Sequence, residues 1–230
     1  SEEKKMTNEE RLQIFEEVDP GCITDALICF KIGAWMQGIF PVSKKAKIYG
    51  RAVTARFETV SDPEKILTPY EVIEMGEPGD VLVWNVDMDA NIMGENIFHF
   101  IKGHGLNGIV LEGKIRDINE IEEIGGCVFS KGPAAYSAPV NFRPTKETVN
   151  VSVTVGGAVV RPGDYICGDA NGVMVVPWEY ADIVLEQARL NMVWEKELEE
   201  AIKAGFNSEQ MKEVYGHLKK LDINRNQIIK

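Results

Sequence analysis

Histidine is scarce in this chain, and its cysteines are widely spaced. The 230 residues include three histidines and four cysteines, and no two cysteines have the two-residue spacing of a zinc site. His99 and His104 are five residues apart on one predicted helix, so they do not share a face well. The sequence therefore predicts no zinc site and no disulfide framework, and we expect the cysteines to be reduced, small apolar side chains.

Long apolar runs are also missing, and basic residues are outnumbered. No stretch approaches the ~20 apolar residues that cross a bilayer, and residues 1–5 lack the apolar stretch of a secretory signal. The 36 acidic and 25 basic residues give a net charge of -11, which repels a phosphate backbone. We therefore expect a cytoplasmic protein that binds neither nucleic acid nor membrane.

The apolar residues that are present predict an α/β fold in one domain. Residues 81–85 and 108–111 are apolar runs typical of buried parallel strands, and the segment between them has helical spacing. From residue 81 to 130 the order is strand, helix, strand, short helix, strand, which favours parallel pairing. Residues 149–176 change to short strands separated by glycine-containing turns, which indicates an antiparallel half.

Helices are predicted at both ends of the chain. Thr7 and Glu10 form a capping box for a first helix, and a second helix is predicted from residue 24 to 32, with Gly33 ending it. A long charged amphipathic helix is predicted over residues 178–203, and Ser208 is predicted to cap another.

Two shorter elements are predicted before residue 80. Residues 47–57 are predicted to form a bent or bulged strand, because Gly50 in its interior weakens simple pairing. Thr68 is predicted to cap a short helix that begins at Pro69 and ends at Gly76.

Charged residues follow both predicted parallel strands. Glu95 lies at the start of the intervening helix, and Arg116 and Asp117 lie just past the second strand. Ligands of α/β units bind at the carboxyl ends of the strands, so these segments predict a site. Taken alone, Arg116 and Asp117 could equally form a surface ion pair, Asp117 could cap the next helix, and Glu95 could complement a helix dipole.

The ordered set of motifs resembles the 4-hydroxy-4-methyl-2-oxoglutarate aldolase family, which also contains the RraA-like regulators of ribonuclease E. Each glycine turn alone has little specificity, but the order of the segments is specific. The resemblance covers roughly residues 20–205. Its segments are residues 24–27, 50–54, 78–83, the loop around Glu95, and residues 113–117, 156–164 and 169–177.

The resemblance implies a fold and an assembly. The fold is a swivelling β/β/α-type single α/β domain with a mixed sheet, N-terminal helices and a long C-terminal helix. The core would span about residues 20–205, and residues 206–230 would form a C-terminal helical extension. The implied assembly is a homotrimer or homohexamer, with the sites near subunit interfaces.

The resemblance also implies an activity. Aldolase members carry an acidic residue, 20 intervening residues and then Arg-Asp, and this chain has Glu95, where many members have aspartate, followed by Arg116 and Asp117. Regulator-type members tend to lack the aspartate after the arginine. The implied function is therefore a divalent-metal-dependent lyase that cleaves short 4-hydroxy-2-oxo acids to pyruvate, with oxaloacetate decarboxylation as a companion activity.

Two other functions are known among relatives. The alternative from another class is a non-catalytic, protein-binding regulator of a ribonuclease, against which Asp117 argues. A menaquinone-precursor methyltransferase has also been named among relatives. However, the sequence has no glycine-rich strand-to-helix turn suited to a nucleoside cofactor.

The implied chemistry assigns a role to each motif residue. Asp117 would bind Mg²⁺ or Mn²⁺ directly, since these cations prefer oxygen ligands and keep several waters. Arg116 would stabilise an enolate, and Glu95 would orient a water that acts as base or acid. The substrate carboxylate would meet backbone N–H groups at the start of the helix. The predicted substrate-binding segment is Gly94, Glu95, Asn96, Ile97 and Phe98.

Two assignments stay open at the sequence level. The resemblance implies a catalytic carboxylate from the C-terminal helix of a neighbouring subunit. Glu195 aligns best with it, and Glu197 and Glu199 are the alternatives. Phe142 and Arg143 are candidates, unranked, for binding the far end of the substrate.

Overall fold

The computed structural model describes the backbone of residues 5–221 and the side chains of residues 5–216. The chain divides into two compact units: a sheet unit of residues 34–178, and a helical unit formed by the residues before and after it. The seven α-helices of the described residues are α1 (Asn8–Glu17), α2 (Pro20–Phe30), α3 (Pro69–Ile73), α4 (Glu95–Gly103), α5 (Ile118–Glu123), α6 (Ala181–Lys203) and α7 (Ser208–Leu221). The single-domain organisation stays a prediction.

Besides α3, α4 and α5, the sheet unit contains fourteen strands within the described residues. They are β1 (Trp35–Met36), β2 (Phe40–Pro41), β3 (Ile48–Arg56), β4 (Glu58–Thr59), β5 (Val81–Asn85), β6 (Asn91–Met93), β7 (Gly108–Leu111), β8 (Lys114–Ile115), β9 (Val128–Ser130), β10 (Phe142–Arg143), β11 (Val153–Val155), β12 (Ala158–Val160), β13 (Tyr165–Asp169) and β14 (Gly172–Val176).

The main sheet is mixed, as predicted. Its eight strands have the order β1-β14-β13-β3-β5-β7-β9-β2. The four strands β3, β5, β7 and β9 pair in parallel. β13 and β14 pair antiparallel with each other, as do β11 and β12. The α/β fold class with its mixed sheet, N-terminal helices and long C-terminal helix is thus confirmed.

Both faces of the parallel sheet are covered, which explains the unbroken apolar runs. Side chains alternate between the faces of a strand. In β5, Leu82 and Trp84 therefore join one core cluster, whereas Val81 and Val83 join a second cluster on the other face. The first cluster also contains Phe98 and Ile101 of α4 and so anchors that helix on the sheet.

The bulge predicted in β3 is wrong. The strand pairs with β5 and with β13 without a register shift. Residue 50 must be glycine for a different reason, because a Cβ at that position would lie 2.2 Å from the carbonyl oxygen of Gly79. A glycine inside a strand marks either a bulge or a close backbone approach, and here it marks the approach.

The four helices predicted in the helical unit are present, but some of them begin or end at residues other than those predicted. The capping box of Thr7 and Glu10 is present at α1. The predicted boundaries of α2 are wrong, because Asp19 accepts a hydrogen bond from Gly21 N and starts the helix at Pro20, and the left-handed Lys31 ends it.

The long helix α6 begins at Ala181 and not at residue 178, because Trp178–Tyr180 form a 3₁₀ helix. The start of α7 differs as well. Asn207, and not Ser208, caps this helix, since its Oδ1 accepts hydrogen bonds from Glu209 N and Gln210 N. In the predicted C-terminal extension, residues 222–230 lie outside the described part of the chain. No helix in the described part is long and apolar enough to cross a membrane.

Candidate active site

The two sequence motifs meet at the ends of two short parallel strands. β6 ends at Met93, and Gly94 then caps α4, whereas β8 ends at Ile115 and is followed by Arg116 and Asp117. β6 and β8 pair in parallel, and Arg116 N donates a hydrogen bond to Met93 O at 3.0 Å. The structure therefore brings the predicted residues of both motifs together.

Asp117 is packed against the start of α4. Its Oδ2 accepts a hydrogen bond from Glu95 N at 3.2 Å and lies 3.3 Å from Nε of Arg116. A Cβ at Gly94 would lie 2.1 Å from this same oxygen and 3.1 Å from Arg116 Nε. Only glycine gives the carboxylate and the guanidinium this space.

The backbone of Asp117 is in the left-handed region, with φ 59° and ψ 45°. It stands at the N-cap position of α5, yet its side chain makes no capping bond there. The alternative that Asp117 caps its own helix is therefore wrong, because the carboxylate turns to α4 instead. A non-glycine residue held in this region costs of order 1–3 kcal/mol, and such strain concentrates at functional sites.

Arg116 forms an ion pair and remains accessible. Its side chain is 57% exposed and that of Asp117 is 32% exposed. An ion pair between such neighbours contributes little stability, so it does not by itself account for the arrangement. Among residues 5–216, no side chain or carbonyl bonds the two Nη groups of Arg116 or Oδ1 of Asp117, and both can meet a ligand.

The first turn of α4 presents free backbone donors. Glu95 N is bonded to Asp117, and Phe98 N donates to Gly94 O at 3.3 Å. The Phe98 side chain lies in the core, whereas the N–H groups of Asn96 and Ile97 have no acceptor among the described residues. These two amides at a helix N-terminus can bind an anion. The Glu95 carboxylate is partly exposed, and no described residue bonds it.

A pocket of about 170 Å³ opens beside these groups. Its volume is about five to six times the ~30 Å³ share of one liquid water, and so suits a small ligand. Sequence analysis named Arg143 of β10 as a candidate but missed the part of the wall that comes from β6 and from the loop after β9. The lining residues are Asn91, Ile92, Met93, Gly94, Ile97, Arg116, Ser137, Ala138 and Arg143.

Asn91 ties the pocket loop to β6. It is 5% exposed, and its Nδ2 donates to the carbonyl oxygens of Ala134, Ala135 and Tyr136 at 2.9, 3.3 and 2.9 Å. Ser137 Oγ donates to Asn91 Oδ1 at 3.2 Å. One buried amide therefore fixes the loop that carries Ser137 and Ala138. The sequence signal that could have identified this role is the polar Asn91 within the apolar run of residues 90–93.

Replacing Asn91 by alanine should loosen this loop. We expect a loss of about 1–3 kcal/mol in the free energy of unfolding, because buried carbonyls lose their donors. Urea denaturation measures the loss, and amide hydrogen exchange should rise in residues 134–138. Asn96→Ala is the control, since the Asn96 side chain is exposed. Equal protection of the loop in both variants would contradict this role of Asn91.

The C-terminal glutamates lie in the helical unit. The Cys22 thiol is hydrogen-bonded to Glu195, and burial of the thiol, followed by this bond and the charge of Glu195, raises the pKa of Cys22 to about 12. Glu197 lines a separate pocket of about 530 Å³ with residues of α6 and α7. Glu199 pairs with Lys203 at 2.5 Å. The catalytic role of Glu195 stays a prediction.

The site offers few side-chain ligands for a metal ion. No group of three or more His, Cys, Asp and Glu side chains within the described residues could hold a metal. The carboxylate that could hold a cation here is that of Asp117, whose Oδ1 has no hydrogen-bond or ion-pair partner among the described residues. This set does not fit zinc, but it fits Mg²⁺ or Mn²⁺ with waters and ligand oxygens completing the shell.

Comparison with known proteins gives related chains over nearly the whole length. A protein of Halalkalibacterium halodurans, provisionally named 4-hydroxy-4-methyl-2-oxoglutarate aldolase, is 29% identical over 194 residues, which are 82% of this chain and 86% of that protein. A crystal structure of an uncharacterized protein from Pseudomonas syringae pv. tomato has a TM-score of 0.81 at 27% identity and covers 94% of this chain and 98% of its own.

A second solved structure is that of an RraA protein. The RraAS2 protein of Streptomyces coelicolor, described as an unusual member of the RNase ES inhibitor RraA protein family, has a TM-score of 0.72 at 25% identity, with 84% of this chain and 98% of its own covered. The family model described as RraA-like, Aldolase/RraA, matches residues 22–175, which is more than half of the sequence. The chain belongs to the RraA-like (Aldolase/RraA) family.

Proposed function

We propose that this chain is a divalent-metal-dependent lyase that cleaves short 4-hydroxy-2-oxo acids to pyruvate. Oxaloacetate decarboxylation would be a companion activity, since it leaves the same pyruvate enolate. The observation that carries the proposal is that Asp117 contacts both Arg116 and the first turn of α4, and that Arg116 and Ile97 of this arrangement line one small pocket. The name of the Halalkalibacterium halodurans relative supports the same class of reaction.

Asp117 would hold the cation through its free Oδ1. A bound Mg²⁺ or Mn²⁺ supplies Lewis-acid polarisation of the keto acid oxygens. The hydrogen bond from Glu95 N and the ion pair with Arg116 fix the carboxylate in one orientation. The single direct carboxylate leaves room for substrate oxygens beside it.

Arg116 and α4 would bind the 2-oxo acid end of the substrate. The N–H groups of Asn96 and Ile97, in the first turn of α4, would donate hydrogen bonds to its carboxylate at the helix N-terminus. When the C3–C4 bond breaks, its electron pair moves into the C2 carbonyl, and negative charge grows on that oxygen. The guanidinium of Arg116 would stabilise this charge by donating hydrogen bonds.

Glu95 is the proposed proton carrier. Cleavage of a 4-hydroxy-2-oxo acid requires removal of the 4-hydroxyl proton and delivery of a proton to C3 of the enolate. The partly exposed Glu95 carboxylate has no described partner and can do both through a water. The resemblance further supports a trimeric or hexameric assembly in which Glu195 serves a neighbouring subunit, and light scattering of the purified chain measures the oligomer.

Pyruvate release tests the lyase proposal. Oxaloacetate and 4-hydroxy-4-methyl-2-oxoglutarate should each yield pyruvate with Mg²⁺ or Mn²⁺, and a chelator should stop both reactions. Arg116→Ala should lower kcat by about 10²–10³-fold, the usual loss when a donor to a developing oxyanion is removed. Arg116→Lys should recover only part of it, because lysine lacks the planar fork.

A matched control separates this effect from a general loss of charge. Arg56 is also exposed and also pairs with a nearby acid, Glu58, at 3.7 Å. Arg56→Ala should therefore leave kcat within about twofold of the unmodified chain, because exposed pairs contribute little. Turnover that survives both chelation and Arg116→Ala would contradict the proposal.

A protein-binding regulator is the second candidate function. The similarity to RraAS2 of Streptomyces coelicolor favours it. A regulator should slow RNA cleavage by an RNase E-type enzyme in a reconstituted assay, and Asp117→Asn should leave that inhibition unchanged. An effect on RNA cleavage without pyruvate release would replace the lyase proposal by this one.

A further inference from the structure

A groove of about 530 Å³ lies between α6 and α7. α6 ends at Lys203 and α7 begins at Ser208, so residues 204–207 join the two helices. The described residues that line this α6–α7 groove are Glu197, Glu200, Ala201, Ala204, Phe206, Glu213 and Val214. The match to the family model ends at residue 175. Membership of the family therefore does not account for the groove.

The apolar lining of the groove consists partly of small side chains. Ala201 and Ala204 are three residues apart and so lie on one face at the end of α6. Phe206, in the connecting segment, is 42% exposed although it is aromatic, and Val214 on α7 is partly buried. The alanines leave space between the two helices. Covering this apolar surface with the side chains of another molecule would remove it from water, which is favourable.

Every charged residue in the described lining of the groove is acidic. Glu197, Glu200 and Glu213, the three groove glutamates, are exposed and form no ion pair within residues 5–216. The neighbouring Glu199, which does not line the groove, pairs with Lys203. No cluster of acidic, histidine or cysteine side chains in the described part of the chain could hold a metal ion. The three carboxylates therefore suit positive charges spread over a larger partner rather than a single cation.

Shape and charge together indicate the kind of partner. A groove between two helices can accept a third helix whose apolar residues recur at i, i+3, i+4 and i+7. Lysine and arginine on the flanks of such a helix bury their aliphatic stems and keep their charges at the surface, where they can pair with the groove glutamates. A second copy of this chain matches less well, because its net charge of -11 is repelled by an acidic groove.

We propose that the α6–α7 groove is a docking site for a basic amphipathic helix of another protein. The apolar residues of that helix pack beside Ala201, Ala204 and Phe206, and its cations pair with the three groove glutamates. The groove shares no residue with the pocket at Arg116. Docking is therefore independent of the proposed lyase function and can be tested by binding alone.

A designed peptide tests the docking site. The probe is a synthetic peptide of leucine and lysine, about 18 residues long, with leucines at the i, i+3, i+4 spacing of one helix face. Fluorescence anisotropy should give a Kd at least about tenfold lower for this patterned peptide than for the same composition in scrambled order. Raising the salt concentration from about 0.15 to about 0.5 M should weaken binding, because exposed charges are screened. Equal binding of the two peptides would overturn the inference.

Variants of the charged lining test where the peptide binds. Replacing all three groove glutamates by glutamine should raise the Kd of the patterned peptide by about tenfold, because three exposed ion pairs, each with a small contribution, are lost together. The matched control removes the same charge from three exposed glutamates of α5 and should change Kd by less than about twofold. The control residues are Glu120, Glu122 and Glu123. Equal losses in both triple variants would overturn the inference, because general attraction to an acidic protein would then explain the binding.

A further variant fills the groove without changing its charge. Ala204 is exposed, so Ala204→Leu should leave thermal unfolding unchanged while raising the Kd of the patterned peptide by about tenfold, through the space that the added side chain takes. Unchanged peptide binding in this folded variant would overturn the inference. Light scattering without peptide tests the other occupant. No peptide binding to the unmodified chain, together with a smaller oligomer for Ala204→Leu, would assign the groove to a second copy and would also overturn the inference.

Discussion

Asp117→Asn should abolish metal-dependent release of pyruvate while leaving the fold intact. We expect kcat/KM to fall by about 10³-fold or more, because Lewis-acid stabilisation is worth several kcal/mol and Asp117 is the single carboxylate proposed to hold the cation. Asparagine is the sharpest substitution, since it retains the shape and tolerates the left-handed backbone of residue 117. Only the charge and the anionic ligand are removed.

The second variant, Asp117→Ala, also tests whether the carboxylate of Asp117 is required for turnover, but it should lower stability as well. Alanine also removes the acceptor for Glu95 N and disfavours the backbone at φ 59°, so this variant should lose about 1–2 kcal/mol of stability as well. Thermal unfolding separates this loss from the effect on turnover. Stabilisation by Mn²⁺ should be clear for the unmodified chain and absent for both variants. Retained turnover in Asp117→Ala would eliminate the proposed role of this carboxylate.

Local patterns were enough to predict the main-sheet strands β5 and β7 but not the short strands β6 and β8, at whose ends the site lies. The apolar runs of β5 and β7 need no knowledge of distant residues, because a strand covered on both faces is apolar at every position. The capping box at α1 is equally local. The meeting of Gly94 with Arg116 and Asp117 was expected at the carboxyl ends of strands 81–85 and 108–111. It occurs instead at the ends of β6 and β8, a separate pair of short parallel strands.

Contacts between distant segments could not be predicted from those patterns. Asp117 has the local sequence of an N-cap for α5, but the approach of α4 gives its carboxylate a different donor, Glu95 N. Asn91 finds its partners more than 40 positions away in the loop of residues 134–136. Whether Phe142 or Arg143 faces the pocket depends on how β10 pairs with β4, and sequence spacing does not fix that pairing.

Gly94→Ala should impair the site without removing any functional group. The added Cβ would lie 2.1 Å from Asp117 Oδ2 and 3.1 Å from Arg116 Nε, so the carboxylate and the guanidinium must move. A displacement of about 1 Å can cost 10²-fold in rate, and we expect a loss of that order in kcat/KM. The backbone of Gly94 is extended, so the loss arises from the contact and not from backbone strain.

Gly103→Ala is the matched control for this substitution, because it lies in the same helix and a Cβ there would meet nothing within 4 Å. We expect unchanged kcat/KM for Gly103→Ala and a stability equal to or slightly above that of the unmodified chain. For Gly94→Ala, overpacking should cost about 1–3 kcal/mol in urea denaturation, a loss too small to unfold a typical domain. Full activity in Gly94→Ala would show that the close approach of Asp117 to α4 is not needed for turnover. A folded but inactive protein would instead tie catalysis to the position of the carboxylate, independently of its charge.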